Sequence, residues 1–441
     1  MPERPAIEVP ERPPLPRGPY LVVGLARSGV AAARMLVAHG EVIGTDAGSP
    51  DLGPDPGFEV HAATEGVELL DGVRTVVKSP GVPWSAPVIG AASERGLEVT
   101  GELELAWRLL PANPFVAVTG TNGKTTTVEL LGAIWRAAGR PVEVAGNVGR
   151  PVAALVGAVE PATTVVCEAS SFQLEDTSAF APEAAVLLNV EEDHLDRHGT
   201  VEAYTAAKLR AFARQDTDGV AVAPEGCRLP GGAERITFGS PRSDMAAVDG
   251  QLRWRGEPLM AVADLSLRGA HNVENAMGAA AVALACGIPA AAVVGALSTF
   301  GGVPHRLEEV AERDGVLYVN DSKATNPASA ARGIEAFRGG VHVILGGSLK
   351  GGDFRRLRAP LAERVRAAYL IGPAAESLAA DLTGAAPLVR AQSLQDAVAQ
   401  ASIAARPGEV VLLSPACASF DAFEDYEHRG RRFKELVAGL G

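Results

Sequence analysis

Short runs of hydrophobic residues, several closed by glycine or an acid and followed by an amphipathic stretch, recur along the chain. YLVVG at 20–24 leads into the Ala-rich RSGVAAARMLVAHG, and EVIGTD is a second run ending in Asp46. Runs of this length with helical stretches between them predict βα units in a mostly parallel sheet covered on both faces. The first pair has the form of a dinucleotide-type βαβ unit, except that Ala26 stands at the middle glycine position between Gly24 and Gly29. TVVK at 75–78 is a further strand, closed by the turn Ser79-Pro80-Gly81.

The linker LLPANP marks a boundary near Pro111, after which FVAVTG, TTVVCEAS, AAVLLNV and GVAVAP alternate with helical segments. A second boundary falls near Val303. Beyond it VLYVND, VHVILGG, AAYLIG and EVVLLSP form a third α/β set. The expected organisation is a flexible Pro-rich tail over 1–17, then domains at 18–110, 111–303 and 304–441. Residues 276–297 carry no charge over a membrane-spanning length, but they are mostly Ala and Gly and are broken at Gly287-Ile288-Pro289. That break predicts two buried helices rather than a span.

With 441 residues, 40 Lys+Arg and 53 Asp+Glu, the chain has a formal net charge of −13. This excludes the electrostatic footprint of a general nucleic-acid binder. Cys167, Cys227, Cys286 and Cys417 are widely spaced with no CxxC pair, which argues against a disulfide framework or zinc site and fits a reducing cytosol. The N-terminus has no apolar signal segment. A soluble, cytoplasmic protein is expected. Lysines occur only at 78, 124, 208, 323, 350 and 434 in a chain that otherwise favours Arg. Lysine is retained where a compact ammonium or a deprotonatable amine is needed.

Residues 118–127, VTGTNGKTTT, lie between a buried run and the helical VELLGAIWRAAG. Gly120 and Gly123 let the backbone N–H groups of Thr121, Asn122 and Thr126 converge on an anion at a helix N-terminus. Lys124 reaches β/γ-phosphates and the Thr125 hydroxyl suits Mg²⁺. The first glycine of the usual phosphate-loop pattern is replaced by Val118. The arrangement reads as a nucleoside-triphosphate site. Glu168 ends the apolar run VVCE, and Asp193, His194 and Asp196 follow another, where ligands of a parallel sheet gather. Each alone is an ordinary loop acid or surface His; together they ring the nucleotide.

These residues resemble the Mur ligase family, ATP-dependent amino-acid ligases of peptidoglycan synthesis. Family features are TGTNGKTTT at 119–127, EDHLDRHG at 192–199, AAKLRAF at 206–212, GAHNVENA at 269–276 and PHRLE at 304–308. SSFQLE at 170–175, NDSKATN at 320–326 and LLSPACASFDAF at 412–423 resemble the member that adds D-glutamate to UDP-N-acetylmuramoyl-L-alanine. The resemblance implies an α/β fold of three domains, a Rossmann-like one for the UDP substrate, a central P-loop ATPase-type one for ATP, and a C-terminal Rossmann-like one for the amino acid. It implies an acyl-phosphate reaction with two Mg²⁺ sites, acting as a monomer on small molecules, with no nucleic-acid partner and no membrane insertion.

Residue by residue, the resemblance makes Lys124 the phosphate lysine and Thr125 a magnesium ligand. Glu168, His194 and a carbamylated Lys208 would hold a second Mg²⁺, although AAKLRAF read by itself makes Lys208 a surface lysine. Asn272 and Asn275, with His271 beside them, would contact adenine; Asn272 alone reads equally as a helix cap. Arg306, Asp321 and Lys323 would bring third-domain contacts to ATP and the acyl phosphate. Thr325, Lys350, Ser419 and Tyr426 would bind D-glutamate. Asn147 in AGNVGR would bind the UDP substrate, with Gly24, Ala26, Arg27, Ser28, Asp46 and Ser79. Here the chain departs from the family, since Asp46 is followed by Ala-Gly rather than Thr-Arg, and Tyr426 replaces a common Phe. Three other readings stand beside this one: a related ligase adding a different residue, a NAD-linked oxidoreductase suggested by the first βαβ unit, and a nucleotide switch without ligation.

Overall fold

The computed structural model of the chain describes residues 9–53, 55–267, 269–349 and 353–440. Three sheets follow one another along the sequence. The first contains β1 (Tyr20–Val23), β2 (Val42–Asp46), β3 (Glu59–Ala62), β4 (Thr75–Lys78) and β5 (Glu98–Gly101), all parallel, in the order β3-β2-β1-β4-β5. This order reverses direction between β1 and β4, so ligands are expected at the C-terminal ends of those two strands.

The central sheet holds β6 (Phe115–Thr119), β7 (Val142–Gly146), β8 (Thr164–Glu168), β9 (Ala184–Leu187), β10 (Val220–Pro224), β11 (Glu234–Phe238), β12 (Met245–Val248), β13 (Gln251–Trp254) and β14 (Glu257–Ala261). Its order is β14-β13-β12-β11-β10-β9-β6-β8-β7, parallel from β7 to β12 and closed by an antiparallel meander. The meander was not anticipated: its strands are short and polar-faced, without the long apolar runs that mark the buried strands. The third sheet contains β15 (Glu308–Arg313), β16 (Val316–Asn320), β17 (Val341–Gly346), β18 (Val365–Ile371), β19 (Leu388–Arg390) and β20 (Val410–Leu413), in the order β15-β16-β20-β17-β18-β19. Only β15 is antiparallel to its neighbour.

Every residue of β6, β8 and β9 is buried, as expected for strands covered on both faces. One face of the central sheet is covered by the helices Lys124–Ala137, Ala270–Ala285 and Ala290–Thr299, whose Trp135, Met277 and Val293 join one core with Val116, Val186 and Phe238. The uncharged stretch 276–297 is thus two helices broken before Pro289. No helix among the described residues is long and apolar enough to cross a membrane.

Chain contacts define two compact units. One runs to Ser266 and includes His271–Phe300; the other comprises Leu267–Ala270 and the residues from Gly301 onward. The first two sheets share the former unit and a continuous core, in which Val22 and Leu36 join Trp107, Phe115, Phe180 and Leu187. Buried carboxylates reinforce that join. Glu102 accepts the Ala153 N–H, and Glu104 accepts the N–H groups of Ser178, Ala179 and Phe180.

The expectation of a flexible tail is corrected for residues 9–17. The segment is extended but docked. Arg12 is 7% exposed and donates to the carbonyls of Trp107, Leu110 and Asn113. The same guanidinium pairs with Glu183 at 3.2 Å and lies over the rings of Trp107 and Phe115. Trp107 and Leu110 lie around the end of the helix Glu102–Arg108, whose negative dipole end favours a cation. Pro14 and Pro16 accept from Arg108 and from the Tyr20 hydroxyl. Proline has little backbone freedom left to lose, which lowers the entropic cost of docking. Burial lowers the Arg12 pKa and raises that of Glu183, each offset by the other's charge. Arg12→Ala leaves Glu183 buried without its cation, and chemical denaturation is expected to show a loss of about 3–5 kcal/mol.

Candidate active site

Strand β6 ends at Thr119 and the next helix begins at Lys124, so residues 120–123 form the connecting loop. Gly120 at φ 150° and Gly123 at φ 83° adopt backbone that residues with a Cβ rarely do. Gly123 is also crowded, because a Cβ there would lie 2.0 Å from Asn275 Oδ1. The helix bearing Asn272 and Asn275 therefore sits directly against the loop. Both asparagines are buried, and the Asn275 amide donates to Asn272 Oδ1 at 3.1 Å. Asn272 lies inside the first turn of Ala270–Ala285, so simple N-capping does not describe it.

Lys124 Nζ donates to the Gly120 and Thr121 carbonyls at 2.8 and 3.0 Å. On the next residue, the Thr125 hydroxyl donates to Glu168 Oε2 at 2.8 Å, and the Asn147 amide reaches the other oxygen at 3.1 Å. Glu168 is 2% exposed at the end of β8. Gly146 precedes Asn147 because a Cβ at φ 125° would fall 2.2 Å from the Glu168 carbonyl. The loop helix, β7 and β8 thus converge on one carboxylate.

Lys208 is buried at 1% exposure, not a surface lysine. Its Nζ donates to the Gly120 carbonyl at 2.8 Å and lies 4.2 Å from the centroid of the Tyr204 ring. Burial, then the neighbouring Lys124 charge, lowers its pKa to about 7 despite the pull of Asp193. A neutral amine is the form that reacts with carbon dioxide. His194 is strained at φ 51°, its Nε2 is 3.6 Å from Asp193 Oδ2, and its ring packs on Phe172. Arg197 lies over the same Phe172, pairs with Glu175 and donates to the Val82 carbonyl at 2.9 Å, tying this segment to the loop after β4.

At the ends of β1 and β4, Gly24 takes φ 87° and its carbonyl accepts from the Ser79 hydroxyl. Ala26 precedes the helix Arg27–Leu36, with Arg27 and Ser28 in its first turn. Gly29 fits only without a Cβ, which would stand 1.9 Å from the Gly24 carbonyl. Asp46 accepts from the N–H groups of Leu25 at 2.7 Å and Gly48 at 2.8 Å, so its carboxylate shapes this turn.

The second unit collects another group at the ends of β16, β17 and β20. Asp321 is buried and accepts from the Ser414 hydroxyl at 2.7 Å. Burial raises its pKa to about 7, against the Ser414 bond and the Arg306 charge. Lys323 Nζ lies 5.3 Å from the Tyr426 ring centroid, and the Thr325 N–H donates to the Lys323 carbonyl. Ser419 is buried, and its carbonyl accepts from Phe423. Lys350 lies outside the described residues.

Several residues absent from the motif reading hold these groups. Arg429, 1% exposed, donates to Ser322, Cys417 and Ala418, joining the segments after β16 and β20; burial lowers its pKa to about 10. Asn189 and Glu191 bind the nucleotide loop. No local signal marks any of them, since each partner is far away in sequence. Among the described residues no three His, Cys, Asp or Glu side chains converge as a metal cage.

Comparison with known proteins decides the family. Residues 118–283 match the Mur ligase middle domain, and residues 305–417 match the Mur ligase glutamate ligase domain. The chain is 44% identical to UDP-N-acetylmuramoylalanine–D-glutamate ligase of Acidobacterium capsulatum over 95% of each chain. It is 43% identical to the enzyme of that name from Pelotomaculum thermopropionicum, over 96% of this chain and 98% of that one. The chain belongs to the Mur ligase family. Its fold is shared with the solved UDP-N-acetylmuramate-alanine ligase of Thermotoga maritima at TM-score 0.59 and 18% identity, covering 96% of this chain and 99% of that one. The MurF ligase of Thermotoga maritima in complex with ADP gives the same TM-score and identity over 91% and 96%.

Two outcomes are expected of a Mur ligase with this loop. Lys124→Ala removes a charge-assisted contact, so calorimetry is expected to show ADP binding weakened by about 1.5–3 kcal/mol. Between about pH 7 and 10.5 the folded chain holds fewer protons on Lys208 than the unfolded chain does, so stability rises with pH across that window. Lys208→Met is expected to flatten that slope in denaturation curves measured against pH.

Proposed function

We propose that this chain is the ligase that joins D-glutamate to UDP-N-acetylmuramoyl-L-alanine at the expense of ATP, in cytoplasmic synthesis of peptidoglycan precursors. The observation that carries the reading is full-length similarity to relatives named for that reaction, together with a phosphate loop braced by Glu168 and Lys208. Residues 18–110 serve the UDP substrate, 111–303 serve ATP, and 304–441 serve the amino acid.

A carboxylate does not acylate an amine unaided, because oxide is too poor a leaving group. The alanyl carboxylate oxygen attacks the γ-phosphorus, the bond to the bridging oxygen breaks, and ADP departs. The D-glutamate amine then attacks the acyl carbon, phosphate leaves, and the amine proton passes to a base. Charge builds on phosphoryl and tetrahedral oxygens in both steps, so positioning and electrostatic stabilisation dominate.

Lys124 and the first-turn N–H groups of its helix hold the phosphates. Asn272, Asn275, Arg306 and Asp321 complete the ATP contacts, and Gly24, Ala26, Arg27, Ser28, Asp46, Ser79 and Asn147 those of the UDP substrate. D-glutamate carries two carboxylates, which suit Lys350 and the hydroxyls of Thr325, Ser419 and Tyr426. Lys323 and His194 are assigned to the reacting groups. Thr125 and Glu168 offer hard oxygen donors of the kind Mg²⁺ accepts while keeping water and phosphate oxygens in its shell. Glu168, with His194 and a carbamate on Lys208, would serve a second ion. Bound Mg²⁺ would neutralise phosphoryl charge. The Lys208 amine, held near neutrality at physiological pH, suits carbamylation.

The test is phosphate release with UDP-N-acetylmuramoyl-L-alanine and a panel of amino acids. D-glutamate alone is expected to stimulate it, and equal stimulation by L-lysine or meso-diaminopimelate refutes the assignment. In the same assay Lys208→Ala is expected to be nearly inactive and to regain part of its activity with small carboxylic acids.

A further inference from the structure

Among the side chains that hold the nucleotide loop from outside, Asn189 meets its backbone most extensively. Asn189 follows β9. Its Oδ1 accepts the Asn122 N–H at 2.8 Å, its Nδ2 donates to the Asn122 carbonyl at 3.2 Å, and its own carbonyl accepts the Thr121 N–H at 3.0 Å. The amide therefore pairs with both polar groups of one residue, as a neighbouring strand would. This fixes the peptide planes on either side of Asn122. Close fit supports the clasp, because a Cβ at Gly120 would lie 3.1 Å from Leu188 Cβ and 3.3 Å from the Asn189 nitrogen.

We propose that Asn189 is the positioning residue of the nucleotide loop, engaging the Thr121 and Asn122 N–H groups so that phosphates are met by the N–H groups of Gly123 through Thr126. The first N–H groups of an α-helix have no acceptor within the helix and carry the positive end of its dipole. The Thr121 and Asn122 N–H groups are already donated to Asn189. Their part is to hold the turn. The Thr121 hydroxyl agrees with this: it donates to the Glu191 carbonyl at 3.2 Å and accepts the Glu191 N–H at 3.0 Å. A loop held this way loses less conformational freedom when an anion binds, which raises affinity without an added contact.

The proposal rests on the ligase reading only for its kinetic readout; its binding readout does not. Asn189→Ala and Asn189→Asp are compared with the unaltered chain by calorimetric titration with ADP and Mg²⁺, by titration with UDP-N-acetylmuramoyl-L-alanine, and by thermal unfolding. In Asn189→Ala, ADP affinity is expected to fall about ten-fold and KM for ATP to rise in step. Affinity for the UDP substrate and the unfolding temperature stay near their original values. Asn189→Asp keeps an acceptor for the Asn122 N–H but turns the donor into a second oxygen facing the Asn122 carbonyl, so it too is expected to lose ADP affinity; it carries the test if the Ala variant does not fold. Unchanged ADP affinity in a folded variant overturns the proposal, and so does an equal loss of affinity for both ligands, which marks a merely structural role. If the unaltered chain binds ADP but does not ligate D-glutamate, the ligase reading fails while the Asn189 result stands.

Discussion

Two lysine side chains share one carbonyl oxygen, and the chemistry of the site follows from that crowding. The Gly120 carbonyl accepts from Lys124 Nζ and Lys208 Nζ, each at 2.8 Å. Two ammonium groups so close, one of them buried, are unfavourable. One response is for the buried amine to give up its proton, and Lys208 is the one whose pKa falls to about 7. The other is for negative charge to arrive, as phosphates beside Lys124 or as an anionic adduct on Lys208. Lys124, at the helix start, is only half-buried.

The parts legible in the sequence were those in which partners are neighbours along the chain. The loop 118–127 reads correctly because strand, glycines, lysine and helix are consecutive, and each glycine answers a local demand on φ. The interior strands read correctly because fully buried parallel strands are short apolar runs. Long-range polar pairs were not legible. Arg12 meets Glu183 across 171 positions and Arg429 meets Ser322 across 107, and nothing local in either arginine distinguishes it from the surface ones. Prolines around Arg12 read as a free tail because composition reports stiffness, not whether a cation can reach a helix end.

The same limit applies to the acids between the first two sheets. Glu102, Glu104, Asp176 and Glu183 are all buried there, where an unpaired carboxylate would be costly. Each has its compensation: backbone N–H groups for Glu102 and Glu104, Lys78 for Asp176, Arg12 for Glu183. Burial still raises Glu102 and Asp176 to about 7. These bonds demand particular partners at particular angles, which apolar packing alone does not. They fix how the two sheets of this unit meet, and with it the path from the loop after β4, through Arg197, to the segment carrying His194.

The first βαβ unit shows why a motif's residues must be followed to their bonds. An acid at the end of β2 invites a dinucleotide reading, in which its oxygens meet a ribose. Here both Asp46 oxygens accept backbone N–H groups, from Leu25 on one side and Gly48 on the other. The carboxylate therefore acts first on the chain, drawing the turns after β1 and β2 together. The Gly24 carbonyl is held in turn by Ser79, just after β4. Ala26 stands where the dinucleotide pattern has a glycine that admits a pyrophosphate to the backbone. It is membership of the Mur ligase family that removes the oxidoreductase reading, and the bonds show what the acid does for the turn.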